Sequence, residues 1–126
     1  MSEPLDAVRD LSAAFAARDL DAALACFVPG ECVGYAGSER GETANGRDAL
    51  TALLGKVFRR AEAYAWKVTA ATVHRHGDQA YVFTEAEGEV RADTGVADEF
   101  AYRVSGLVEL VDGRWRWRHC QGGEPT

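Results

Sequence analysis

The sequence is poor in the groups that cross-link a chain, ligate a metal or span a membrane. Its cysteines are three, an odd number, at Cys26, Cys32 and Cys120, with no CxxC pair among them. That excludes a disulfide framework and a thioredoxin-like redox motif. Cys26 and Cys32 flank Pro29-Gly30 and are placed to meet across a turn. Small buried thiols in a reducing compartment are the simpler expectation. Basic residues are in deficit: 14 Lys and Arg stand against 20 Asp and Glu, a formal net charge of −6. A phosphate-backbone partner needs a basic surface, so nucleic acid is not expected, and an anionic membrane surface is disfavoured for the same reason. No apolar run approaches the length of a membrane span. The opening stretch "MSEPLDAVRD" has neither a basic n-region nor an apolar h-region. No signal peptide is therefore expected, and cytoplasmic residence is the default. No Walker loop, GxGxxG turn or nucleophile motif occurs. "GSERGE" has glycines but lacks the strand-to-helix setting that cradles a phosphate. No cofactor is expected.

What is present is an ordinary globular composition, 47% apolar and 27% charged over 126 residues. That length favours one domain, residues 1–126, able to bury a core without staples. In "PLDAVRDLSAAFAAR" the residues Leu5, Val8, Leu11 and Phe15 recur three or four positions apart, one apolar helical stripe. Asp19 is placed to cap a short second helix, "LDAALACF", stopped by Pro29-Gly30. "ECVGYAG" is β-compatible, and "SERGETANG" reads as a polar loop. Asn45 is then expected to cap a third helix, with Asp48 as a weak capping-box partner. That helix shows Leu50, Leu53, Leu54, Val57 and Phe58 on one stripe.

From residue 64 the period becomes two. "AYAWKVTAATVHRH", "QAYVFTEAEGEV", "EFAYRVSGLVELV" and "RWRWRHCQ" read as four long strands. They are joined at Gly77-Asp78, "RADTGVAD" and Asp112-Gly113, the last a strong hairpin signal. Helices segregated before an antiparallel meander imply an α+β fold with helices covering one sheet face.

Register on the last hairpin sharpens this picture. With Asp112-Gly113 as a two-residue turn, Leu110 faces Trp115, Val108 faces Trp117 and Gly106 faces His119. One face then gathers Tyr102, Val104, Val108, Leu110, Trp115, Trp117 and His119, and it is the face the helices should cover. The other gathers Arg114, Arg116 and Arg118, with Glu109 opposite Arg116. Gly106 leaves room opposite His119. A cavity bordered by His119, Trp117, Tyr102 and Gln121 has an apolar body and convergent polar tips, the make-up of a small-molecule site. The alternative is a satisfied core histidine among aromatics.

The first hairpin carries two side-chain sets. Three glutamates, Glu85, Glu87 and Glu89, alternate with Trp66, Tyr81 and Phe83 on one of them and are costly to bury. The small neutral set with Ala80, Val82, Thr84 and Ala86 is therefore expected against the helices, with Thr84 as a further ligand-binding tip. The Trp66, Tyr81 and Phe83 set is expected on the outer surface as a dimer contact. The opposite assignment would line the pocket with Glu85 and Glu87. His74 and His76 point the same way on a strand, but a zinc site needs at least three ligands. A solvated hairpin end is expected and no metal.

The order of "RDLDAALACF", "GRDAL", "HGDQA" and a final "DGRW" strand with His119 resembles the SnoaL-like branch of the nuclear transport factor 2-like superfamily. Ketosteroid isomerases, polyketide cyclases and dehydratases belong to the same superfamily. The resemblance covers nearly the whole chain. It implies a cone-shaped α+β fold with a curved, mostly antiparallel sheet around an apolar pocket, three helices on the concave face, and a homodimer packed sheet to sheet. Where the isomerases carry a carboxylate base on the first strand, this chain carries Tyr35. Where many relatives carry a further His and a Ser at the end of the last strand, it has Gln121 and Gly123. A phenol with a reference pKa of about 10 is a poor base at neutral pH but a good donor to an oxyanion. Isomerase chemistry is therefore not carried over.

Two functions stay open. One is an enzyme for a small apolar or polycyclic substrate, with His119 as acid or base, Tyr35 as donor, and Tyr102, Trp117, Gln121 and Thr84 as ligand contacts. The other is a non-catalytic dimeric ligand-binding or assembly domain.

Overall fold

The computed structural model describes residues 2–125. Its elements are α1 (Asp6–Ala17), α2 (Leu20–Ala25), β1 (Gly34–Ala36), β2 (Thr43–Asn45), α3 (Arg47–Phe58), β3 (Ala63–His76), β4 (Gln79–Ala92), β5 (Gly95–Val111) and β6 (Arg114–Gly123). The strands form one sheet in the order β2-β1-β6-β5-β4-β3. Among the described residues β1 pairs with β6 in parallel and every other pair of these strands is antiparallel. Among the described residues no helix is long and apolar enough to cross a membrane.

Helix α1 forms on its apolar stripe. Val8, Leu11 and Phe15 are buried along one face, each burial favouring folding by about 1.5–3 kcal/mol. The Ser12 hydroxyl pins that face to β3, donating to the Trp66 carbonyl at 2.7 Å and accepting from the Trp66 amide at 2.9 Å. Asp19 caps α2, its carboxylate accepting from the Ala22 amide at 3.0 Å. The chain then runs beside β6, with the Trp117 amide donating to Cys26 O and the Val28 amide to Trp117 O, at 2.7 and 2.9 Å. Trp115 and Trp117 are fully buried. The Trp117 indole N–H donates to the Ala7 carbonyl at 3.0 Å and so fixes the start of α1 over the sheet.

The structure departs from two local expectations. "SERGETANG" is not all loop: Thr43–Asn45 pairs with Gly34–Ala36. Asn45 therefore lies in a strand and does not cap α3. The N-cap is Gly46, at φ 91°, with no side-chain cap of its own. Glu31 replaces it, its carboxylate accepting from the Arg47 amide at 3.2 Å. The Arg47 guanidinium turns back to the carbonyls of Gly30 and Val28. The "GRD" stretch thus ties the loop before β1 to the start of α3.

Two β-bulges set which side chains face inward. In β6, Val108 pairs with Trp117 and Leu107 with His119, so Arg118 is an extra residue. One inserted residue reverses the alternation beyond it. Trp115 and Trp117 face the helices as expected, but Cys120 follows them inward while His119 is exposed. Gly106 lies opposite Cys120, not His119. It opens no cavity. A Cβ there would lie 2.0 Å from the His119 carbonyl oxygen, so glycine permits the two backbones to close at the bulge. Arg118 braces the distortion. Its guanidinium donates to both Glu109 oxygens at 2.8 and 3.0 Å and to Cys32 O at 2.7 Å. These bonds hold the Glu109 carboxyl below the usual carboxylate range. Glu109 pairs in register with Arg116, but Arg116 reaches Ala25 O instead.

In β3, Val68 pairs with Ala86 and Ala70 with Glu85, leaving Thr69 as the extra residue. Ala80, Val82, Thr84 and Ala86 are buried, as expected. Tyr81 and Phe83 are 53% and 51% exposed on the outer surface. Trp66 does not join them. The Thr69 bulge turns it inward, where it packs on the core with Tyr64 and Val68.

Candidate functional site

A chamber of about 230 Å³ lies between the helices and the β3–β5 part of the sheet. Its most buried wall residues come from five elements: Phe15 from α1, Tyr35 from β1, Val57 from α3, Ala65 from β3 and Tyr102 from β5. Tyr64, Trp66 and Phe100 complete the aromatic lining. The rings touch in sequence. Tyr35 lies 6.3 Å from Phe15, Phe15 lies 5.1 Å edge-on to Trp66, Trp66 lies 5.8 Å from Tyr102, and Phe100 stands edge-on to Tyr102 at 5.6 Å. Such tilted and edge-to-face pairs are favoured ring geometries and stiffen the wall.

Two glycines seat these rings. A Cβ at Gly88 would lie 2.3 Å from Phe100 Cε2, and a Cβ at Gly122 would lie 2.0 Å from the Tyr102 hydroxyl. Gly122 faces inward because of the Arg118 bulge, so the bulge also positions Tyr102.

The mouth is polar. Ser38, Glu39 and Glu42 come from the β1–β2 connection, Arg60 and Glu62 from the turn after α3, Asp98 from β5, and Glu124 from the segment after β6. Arg60 reaches Glu39 at 3.6 Å and Glu42 at 3.5 Å, and it donates to the Tyr64 hydroxyl at 3.4 Å. Glu42 is the least exposed of these two carboxylates, at 14%. Its other oxygen accepts from the Glu39 amide.

Burial holds the Tyr35 phenol well above its ordinary value, and Tyr102, Cys120 and Glu42 act in the same direction. Burial does the same for Tyr102, helped by Cys120 and Glu42 and opposed in part by Ser38. Desolvation penalises the charged phenolate. Both tyrosines are therefore neutral hydrogen-bond donors at physiological pH. The Trp66 indole N–H is buried with no partner among the described residues. Chemically, the chamber offers neutral donors, aromatic faces and one enclosed carboxylate.

Of the residues named from the sequence, Tyr35 and Tyr102 meet in the chamber. The others do not join them. Trp117 is buried against α1, with its indole spent on Ala7 O. Thr84 is buried and donates to Val104 O at 2.8 Å. Gln121 is exposed. His119 is exposed on the far side of the sheet, its ring over Gly34, where a Cβ would lie 2.8 Å from Cδ2. His74 is exposed and edge-on to Phe83 at 6.2 Å. Among the described residues no histidine lines the chamber. Nothing in the sequence marks Phe15, Trp66, Arg60 and Glu42 as site residues. Phe15 reads as ordinary helix core there, and Glu42 and Arg60 sit in connections that carry no periodic signal.

The seat at Gly122 yields a paired test. Gly122→Ala should lower stability by about 1–3 kcal/mol through overpacking against the Tyr102 hydroxyl. Adding Tyr102→Phe removes that hydroxyl and should recover much of the loss in a thermal melt. A strictly additive double mutant would place Tyr102 elsewhere.

Residues 5–123 match the family model described as the SnoaL-like domain. No curated protein matches the sequence. Solved structures resemble it throughout. One from Thiobacillus denitrificans, provisionally named a calcium/calmodulin-dependent protein kinase type II association domain, has a TM-score of 0.81 at 21% identity, covering 100% of this chain and 98% of its own. A second, provisionally named a scytalone dehydratase, comes from Novosphingobium aromaticivorans, with a TM-score of 0.78 at 17% identity, covering 96% and 80%. A nuclear transport factor 2-like superfamily protein from Salmonella enterica has a TM-score of 0.78 at 14% identity, covering 96% and 87%. At such identities the likeness is one of fold, the cone-shaped α+β architecture with a curved sheet. With the family match running over nearly its whole length, the chain belongs to the SnoaL-like domain family.

Proposed function

We propose that the chain binds a planar aromatic molecule of one or two rings, with Tyr35 and Tyr102 donating hydrogen bonds to an oxygen of that ligand. The observation that carries this reading is the convergence of two buried, neutral phenols in an aromatic chamber. At about 230 Å³ the chamber is smaller than the roughly 300–1,000 Å³ of drug-sized pockets, which favours a compact ligand over a large polycycle. Preorganised donors in a dry site are worth most where an oxygen gains charge. That suits the enolate-like stages of isomerase, cyclase or dehydratase chemistry, with Glu42, the less exposed of the two carboxylates on Arg60, as the group that takes a proton from the ligand. The dehydratase name of the Novosphingobium structure supports this class only through a shared fold. In this reading His119 takes no part in the chemistry, because its ring lies across the sheet from the phenols.

The second reading is a non-catalytic dimeric binding domain, and the outer face favours it. Tyr81 and Phe83 stack at 6.2 Å and 19° while more than half exposed. In register with them across the sheet lie Thr72, His74, Ser105 and Leu107. An exposed aromatic patch of this kind fits a homodimer packed sheet to sheet. Phe83→Glu should then convert dimers to monomers in sedimentation, and an unchanged mass would remove this face from the contact.

Naphthol serves as the probe for the pocket. Tyr35→Phe and Tyr102→Phe should each weaken its binding by about two- to tenfold, the worth of one hydrogen bond, with melting temperatures unharmed. Binding unchanged in both variants would contradict the proposal.

A further inference from the structure

We infer that the ligand of this chamber carries a positive charge, as an amine or quaternary ammonium on an aromatic body; this rests on the reading of the chamber as the ligand site. Among the described residues five carboxylates line it, from Glu39, Glu42, Glu62, Asp98 and Glu124, against a single cation, Arg60. That cation is already engaged, held by Glu39 and Glu42 at 3.6 and 3.5 Å. Glu62, Asp98 and Glu124 form no ion pair among the described residues. The mouth of the chamber therefore has a surplus of negative charge with no protein partner.

The walls carry the same preference by a different mechanism. Phe15, Tyr35, Tyr64, Trp66, Phe100 and Tyr102 present ring faces or edges to the space. Aromatic faces attract ammonium groups through their quadrupole. An anion entering here would meet carboxylates at the mouth and negative ring faces behind them, a double penalty that discriminates against it. The phenols, being neutral, add no opposing charge.

The two sets of groups also fix an orientation. Tyr35 and Tyr102 are buried, and both donate. Glu62, Asp98 and Glu124 are exposed, and they attract cations. A ligand satisfying both places its oxygen inward and its ammonium at the mouth. An aromatic amine bearing a hydroxyl or carbonyl oxygen has that layout. A low-dielectric cleft with a rim of one sign focuses the field, and salt screens the exposed part of it.

Three probes of one ring size test this: naphthol, naphthoate and naphthylmethylammonium, compared by calorimetry at neutral pH in low and high salt. The ammonium should bind about tenfold or more tighter than the carboxylate in low salt, the sum of several modest rim interactions. Added salt should narrow that gap. The triple variant Glu62→Gln, Asp98→Asn, Glu124→Gln should shrink it further while leaving naphthol affinity and the melting temperature as they were. Naphthoate binding as tightly as the ammonium, with naphthol still bound, overturns the charge preference and leaves the pocket standing. A gap indifferent to the triple variant overturns the role given to the rim. Failure of all three probes to bind overturns the pocket reading as well.

Discussion

The arrangement of the pocket side depends on one extra residue in the last strand. Arg118 has no partner in the β5–β6 ladder, and its insertion reverses every side chain after it. Without it, His119 would point at the helices and Cys120 and Gly122 away from them. With it, Cys120 is buried, and Gly122 provides the seat for the Tyr102 hydroxyl. The bulge is held from both sides. Glu109 and the Cys32 carbonyl engage the Arg118 guanidinium, and the glycine at 106 lets the backbones close. Before the bulge, the indole of Trp117 secures α1, and α1 in turn supplies Phe15 to the chamber wall.

The chamber follows from shape as much as from chemistry. A second bulge, at Thr69, turns Trp66 inward to meet Phe15 and Tyr102. Glycines at 88 and 122 then give Phe100 and Tyr102 space to lie close to neighbouring strands. The burial of the two phenols among aromatic rings raises them further above their ordinary value, so they stay neutral donors well into the alkaline range.

The fold was largely legible in the sequence. Periodicity located α1, the α3 stripe and the four long strands because each buries one face over many residues, and those patterns are redundant. The Asp112-Gly113 turn fixed the register as far as Trp117, and the pairs Leu110–Trp115 and Val108–Trp117 stand as read. Beyond that point the reading fails, since alternation carries no mark of an inserted residue. "RWRWRHCQ" looks the same whether or not Arg118 is extra. The insertion puts His119 and Gln121 on the outer face and gives Gly106 a different partner, and the Thr69 bulge turns Trp66 inward in the same way. Tyr35 and Tyr102 were legible, one by resemblance and one by its strand face. Glu42 and Arg60 were not, because loop residues meet a pocket through three-dimensional closure and not through a period.

The side of the sheet that the ligand touches separates the chamber from every other candidate site. Nuclear magnetic resonance of the labelled protein, titrated with naphthol, reads this directly. The indole N–H of Trp66 and the amide of Gly122 should shift as the probe fills the chamber, while the His119 ring signals stay in place. Movement of the His119 signals with Trp66 and Gly122 unmoved would contradict it.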